Sequence, residues 1–382
     1  MTNSDSNLAN RLSVYAADLR QSGAIRTDAV EAAFATVPRH RFLPRFQYRG
    51  VPFTLDPSSV PADDVLDIVY ANNSLLTRTG RDGDPPSSSS TPSVMAKMLE
   101  ALDLRPGMHV LEIGAGTGYN AALINAITGT TVVTVEAGRR TAADAFATID
   151  NLGLAGQVRV IEGDGYLGCA DDEPYDRIVV TCGIAGIPPG WLDQLAVDGR
   201  IVAPVAHAGV HPIMAIERYG LGDITARVLM WGDFMPAAGP LRPAELFPHN
   251  PADDIPTTGA RTILDVGPPV TLDEYHDLWC FLGAHDPRIS RAYPDLDLFD
   301  LGMGTCALVD PVFGTAWIHQ NGTVTAVGNG DVEGHLVRLI HRWLRSGRPD
   351  AQKWHVRWLS TIVTGYALML PRVWRWSTDQ AS

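Results

Sequence analysis

The sequence predicts an α/β protein: a doubly wound, mostly parallel sheet, preceded by a helical cap and followed by a C-terminal α+β unit. Three observations carry this. Strand-like apolar runs and helix-length amphipathic segments alternate from Pro92 to Val205 in a βαβ rhythm. One of those strands, His109 to Ile113, turns through Gly114, Gly116 and Gly118 directly into a helix. The chain has 382 residues, 45% hydrophobic and 19% charged, enough for two domains of roughly 100–200 residues each.

The elements follow in order. Helical patterns run from Asn7 to Gln21 and Thr27 to Val37, ended by Pro38 and Pro44, and form the cap. Val51 to Ser90 is irregular, with NNS, TGRDGDPP and the run Ser87 to Ser90, and is expected as loop or short strand. In PSVMAKMLEAL, Val94, Met95, Met98, Leu99 and Leu102 share one helical face. Strands are expected at 109–113, 130–136, 158–161, 177–181 and 200–205, and helices at 119–128, 139–152 and 191–196. Two further strands, Ile213 to Tyr219 and Thr225 to Trp231, are expected to close the sheet as an antiparallel pair.

A Pro-rich stretch from Pro236 to Pro256 marks a boundary. Beyond it are a helix near Leu272 to Leu282, strands at 307–308 and 314–319, and a hairpin signal at Asn321-Gly322 leading into 323–327. A basic amphipathic helix, Val332 to Arg345, and a tail rich in tryptophan complete the chain.

Composition excludes several functions. No run of 18 apolar residues exists, the longest candidate being Trp358 to Pro371, so no membrane span is expected. The N-terminus has neither a basic start nor an apolar stretch, and a cytoplasmic location is expected. Net charge is −13. Residues 241–331 carry 13 acidic and four basic residues, whereas 332–382 carry three and eight. That balance argues against nucleic acid as partner. Cys169, Cys182, Cys280 and Cys306 lack CxxC spacing and read as buried thiols, with no metal site expected.

The chemistry is concentrated in VLEIGAGTGYN, Val110 to Asn120. Glycines let the backbone approach a ligand, and the following helix presents unpaired N–H donors. Tyr119 stands where a dinucleotide fold wants its third glycine, so a pyrophosphate ligand is not favoured. Glu112 lies within this strand and Glu136 ends the next, where a carboxylate accepts both ribose hydroxyls. Asp164 and Gly165 follow the third strand, where a small acidic loop suits an adenine edge. Each acid alone reads equally as a turn or cap residue, but their order along one sheet edge points to an adenosyl cofactor across the ends at Ile113, Glu136 and Ile161.

This set resembles the S-adenosylmethionine-dependent methyltransferases, whose sheet is Rossmann-like, and more narrowly the protein-L-isoaspartate O-methyltransferases. The resemblance rests on PRHRFLP (38–44), the Ser-Pro segment before Ser93, VLEIGAGTGYNAALI (110–124), EGDGYLG (162–168), PYDRIVVT (174–181), GRIVAPV (199–205) and FMP (234–236). It implies cofactor contacts at Gly114, Ala115, Gly116, Glu136, Asp164 and Gly165, with Ser87, Ser88, Ser89, Glu112 and Gly118 beside them. It places the family's active-site serine on Ser90, followed by Thr91 and Pro92, with Thr91 and Phe234 on the substrate side. S-adenosylhomocysteine is the implied product.

Two departures stand out: Ser88-Ser89-Ser90 replaces the usual Thr-Ile-Ser, and about 140 residues follow the family's usual end. Both resemble the variants that act on ribosomally made, modified peptides such as lanthipeptides. They imply esterification of an L-aspartate in a precursor peptide, leading to aspartimide (succinimide) and isoaspartate. Repair of isoaspartate in damaged proteins is the alternative, and a non-catalytic peptide-binding module another.

The expected division is 1–91 cap and serine loop, 92–240 methyltransferase domain, and 241–382 accessory domain. The accessory domain is expected to recognise peptide through Arg338, Arg342, Arg345 and nearby tryptophans, seven of the nine tryptophans lying beyond residue 240. A monomer and a homodimer are both open. An aspartate is already anionic near neutral pH, so no general base is needed, and His40, His207, His211 and His319 read as structural or surface residues.

Overall fold

A computed structural model describes residues 3–80, 83–219, 223–247, 252–255, 259–263, 266–294, 304–328 and 331–376. Its centre is a nine-stranded sheet. In spatial order this runs Val158–Glu162, Val132–Glu136, Val110–Ile113, Tyr175–Val180 and Leu195–Pro204, all parallel. Ile213–Tyr219, Asp223–Met230, Trp354–Val363 and Tyr366–Trp376 then continue it antiparallel. The 110–113 strand is buried at every residue, as expected for a parallel strand covered on both faces.

Helix Pro92–Leu102 leads into the 110–113 strand, and Tyr119–Thr128 and Arg139–Asn151 connect that strand to the next two. Pro92 stands in the first helical turn, where its missing N–H costs nothing, and Gly129 ends the second helix in a left-handed conformation. The cap, Asn3–Gln21 and Asp28–Thr36, is tied down by the buried Glu100. Its Oε1 accepts the N–H groups of Arg26 at 2.8 Å and Thr27 at 2.9 Å, besides the Thr27 hydroxyl at 3.0 Å.

Three expectations are corrected. Val51 to Ser90 holds the expected loop and short strand, but also an unexpected helix. It holds the helix Asp63–Tyr70 and three strands, Val51–Thr54, Leu75–Arg78 and Ser87–Ser89, which with Arg45–Tyr48 make a four-stranded sheet. These pieces are too short for a period to show in sequence.

The 213–230 hairpin does not close the central sheet either. The tryptophan tail forms two long strands that pair onto it, with Thr225 opposite Arg357 and Ala226 opposite Val356. The division at residue 241 therefore does not separate two cores. One apolar cluster runs continuously from Leu111 and Ile201 through Leu278 and Trp279 to Trp354 and Trp358.

The rest of the accessory unit is a six-stranded sheet in the order 252–255, 289–294, 305–310, 314–318, 324–328, 261–263. The helix Leu272–His285 opens with a capping box between Thr271 and Glu274, and Val332–Arg345 packs against the sheet. Among the described residues no helix is long and apolar enough to cross a membrane.

Candidate active site

The ends of the parallel strands open into a cavity of about 520 Å³, within the range that holds cofactor-sized ligands. Its floor is the glycine turn. Gly114 has φ +99°, and a Cβ there would stand 2.3 Å from Thr181 Oγ1, whose hydroxyl donates to the Gly114 carbonyl at 2.7 Å. Gly116 has φ +53°, and its missing Cβ would point toward the Ser88 carbonyl 3.6 Å away and Ser87 Oγ 3.9 Å away. The glycine turn and the serine strand thus lie within van der Waals range of each other on the cavity wall.

Glu136 ends its strand with both carboxylate oxygens engaged by backbone. Oε2 accepts the Gly116 N–H at 3.1 Å and Oε1 the Gly138 N–H at 2.9 Å. This half-buried acceptor on the cavity wall, beside a turn kept open by glycine, fits the ribose of an adenosyl cofactor. Glu112 lies deeper and is fully buried, accepting from Asn120 Nδ2 at 2.8 Å and Thr134 Oγ1 at 2.6 Å.

Burial pushes the Glu112 carboxyl up to about 7, against the opposing pull of those two hydrogen bonds. A raised folded-state pKa means that the folded protein keeps a proton which the unfolded chain has released. Glu112 thus lowers stability as pH rises from the usual Glu value, about 4.3, to about 7, and not beyond. Glu112→Gln should remove this decline. Urea unfolding at about pH 5 and about pH 8 checks it, and an unchanged difference between the two pH values contradicts it.

The serine strand is held from behind by a residue whose role was not foreseen. Arg39 is fully buried and has no carboxylate partner among the described residues. Its Nη1 donates to the Val69 carbonyl at 2.8 Å, and its Nη2 donates to the Ser90 carbonyl at 2.9 Å and the Asn73 carbonyl at 3.1 Å. Both Nε and Nη2 reach Ser89 Oγ at 3.3 Å. Ser89 is therefore a clamped structural residue, and its hydroxyl is already engaged, although it lies at the cavity wall. Ser87, Ser88, Ser90, Thr91 and Phe234 line the cavity, together with Glu112, Gly114, Ala115, Gly116, Glu136 and Gly165.

Other expected residues lie elsewhere. Asp164 is exposed and caps a short turn by accepting the Tyr166 N–H at 2.9 Å; it is not on the cavity wall. Gly118 packs against Ile149 rather than facing the cavity. Arg342 is exposed and Arg338 pairs with Asp331 at the surface; neither lines the cavity.

Trp343, Trp354 and Trp358 are buried in the core instead of forming a docking face. The charged residue that the accessory unit brings to the cavity, in addition to Leu241 at its start, is Arg291, which no motif in the sequence marked. His40, His207 and His319 are buried and bonded to Tyr70, the Cys280 carbonyl and Thr325 respectively.

Comparison with known proteins covers most of this framework. Residues 11–241 match the family described as Protein-L-isoaspartate(D-aspartate) O-methyltransferase. A Protein-L-isoaspartate O-methyltransferase of Methanopyrus kandleri is 33% identical over 223 residues, 58% of this chain and 88% of that one. One of Thermotoga maritima is 36% identical over 181 residues, 47% of this chain and about half, 51%, of its own length. A solved structure titled protein-L-isoaspartate O-methyltransferase superposes with a TM-score of 0.53 at 23% identity, covering 94% of this chain and 99% of that one. That coverage extends the likeness in fold well beyond residue 241, so the added length is no departure from every protein so titled.

Proposed function

The chain belongs to the protein-L-isoaspartate(D-aspartate) O-methyltransferase family, and from that premise we propose that it methylates the free α-carboxylate of isoaspartyl residues in polypeptides. The carrying observation is that Gly116, Glu136 and Ser90 line one cavity, so that the cofactor seat and the substrate-orienting loop share a wall. S-adenosylmethionine, when bound, supplies the methyl group: a carboxylate oxygen–carbon bond forms, the sulfur–carbon bond breaks, and its electron pair stays on sulfur.

The protein's own residues do the rest. Glu136 and the glycine turn hold the donor. Ser90 donates its hydroxyl to the carboxylate oxygen that does not react, which fixes the direction of approach. No proton has to be removed, since the acceptor is ionised near neutral pH. Alignment is the main contribution, and it is highly sensitive to position. Ser90→Ala should lower turnover about tenfold to a hundredfold with little change in cofactor affinity. A loss confined to cofactor binding would remove this role from Ser90.

A second reading, esterification of an unmodified L-aspartate in a ribosomally made precursor peptide, is favoured by Ser88-Ser89-Ser90 in place of Thr-Ile-Ser. There, attack of the next backbone nitrogen on the ester expels methanol and closes an aspartimide. Matched isoaspartyl and aspartyl peptides with labelled donor separate the two readings. The isoaspartyl peptide is expected to be methylated at least a hundredfold more efficiently. The reverse preference would establish the second reading, and labelling of neither would overturn both.

A further inference from the structure

Arg291 comes from the strand Ile289–Pro294 of the accessory unit, yet it lines the methyl-transfer cavity beside Asp233 and Phe234. Its place is fixed by close packing. Gly209, at φ +82°, lets the 207–210 turn approach so near that a Cβ there would stand 2.3 Å from the Arg291 nitrogen. Trp279 Nε1 donates to the Ala208 carbonyl of the same turn at 2.9 Å. The arginine is therefore presented by a rigid joint.

Its bonding is incomplete. Nη1 pairs with Asp233 Oδ2, whose other oxygen lies 3.4 Å from His211 Nδ1, while the buried Nε has no partner. Arg242 directly follows the cavity residue Leu241. Its guanidinium lies 3.9 Å over the Phe247 ring, its Nε is also buried without a partner, and no carboxylate pairs with it among the described residues. Burial first, and the charge of Arg291 second, lower the Arg242 pKa, which places the two cations within each other's field. Asp233 thus pairs with Arg291 and leaves the nearby Arg242 without a carboxylate among the described residues.

We propose that Arg291, with Arg242 beside it, binds a second, non-reacting carboxylate of the polypeptide substrate and so selects chains that carry an acid close to the methylated residue. This rests on the polypeptide carboxyl substrate proposed above. The reacting carboxylate is a poor choice for this pair. Methyl transfer cancels its charge against the sulfonium, so a tightly held cation would stabilise the ground state more than the transition state. A carboxylate that stays charged throughout loses nothing, and guanidinium recognises it through two parallel hydrogen bonds. Two sources share that chemistry: a neighbouring acidic side chain and the substrate's own C-terminus.

The test uses the full-length protein and four peptides around one isoaspartyl residue. One has a flanking Glu and an amidated end, one a flanking Gln and an amidated end, one a flanking Gln and a free end, and one both carboxylates. Binding to the S-adenosylhomocysteine complex is read by calorimetry and turnover by methyl transfer. Wild type is expected to bind at least one carboxylate-bearing peptide about tenfold more tightly than the neutral one. R291Q should bring that ratio close to one, and R242Q should reduce it. D233N, which frees Arg291 from its internal competitor, should raise it, and surface R338Q should leave it unchanged.

The Glu and free-end arms tell which source is used. A ratio near one in wild type, or one that survives R291Q, overturns the proposal. So does R291Q weakening S-adenosylhomocysteine alone more than threefold, because the arginine would then hold the cofactor's carboxylate. Carboxylate-dependent binding that R291Q abolishes, without methyl transfer to any peptide, supports the arginine site and overturns the catalytic reading instead.

Discussion

Replacing Glu136 by alanine is expected to weaken S-adenosylhomocysteine binding about a hundredfold or more while leaving the fold intact. Hydrogen bonds to a charged acceptor contribute about 1.5–3 kcal/mol each, and a ribose offers two hydroxyls, so about 3 kcal/mol is a conservative loss. The carboxylate also holds the Gly116 and Gly138 N–H groups. Glu136 and Gly116 are half-buried, so water can replace the carboxylate there, and only the buried Gly138 N–H is left at risk, which is why the fold should survive. Glu136→Gln keeps one good acceptor and should lose less than alanine does. Calorimetry checks the series, and an alanine variant within threefold of wild type would remove Glu136 from the cofactor seat.

The largest effect on stability is expected at Arg39. Its guanidinium satisfies four buried or half-buried carbonyls and the Ser89 hydroxyl. Arg39→Leu would leave these acceptors unpaired at about 1–3 kcal/mol each, so a loss of about 4 kcal/mol or more is expected, near the limit of what a domain survives. Arg39→Lys keeps the charge but cannot span all five acceptors. It should fold with a lowered Tm and a turnover reduced about a hundredfold, because the Ser90 carbonyl loses its anchor and the serine drifts. Thermal unfolding and methyl transfer are measured together. A lysine variant of normal turnover would show that the clamp serves stability alone.

Much of the parallel half was legible in sequence, because strands buried on both faces read as unbroken apolar runs and each is followed by a helix with clear stops. The 332–345 helix was legible to the residue. What failed was short or non-local. Asp63–Tyr70 spans two turns, too few for a period. Trp354, Val356 and Trp358 do alternate inward, but tryptophans in an apparent tail suggested a docking face rather than a strand. In the site, the glycine turn and Glu136 were visible because local backbone chemistry dictates them. Arg39 lies within the PRHRFLP segment, yet only the fold shows it reaching Ser89 and Ser90, about 50 positions away. Arg291 had no local signal at all, since its place depends on how two sheets pack.

The return of the last two strands to the central sheet also bears on how the protein is made. The 223–230 strand is synthesised with a free edge, and its partner, 354–363, follows only after 123 intervening residues. At ribosomal rates of about 5–20 residues per second this leaves the edge bare for roughly 6–25 s. A strand with unpaired backbone and an apolar face is a template for pairing with other nascent chains. Newborn copies should therefore aggregate when translation is slow or ribosomes are crowded, and a ribosome stalled before codon 354 should hold a species that binds chaperones more strongly than the finished enzyme.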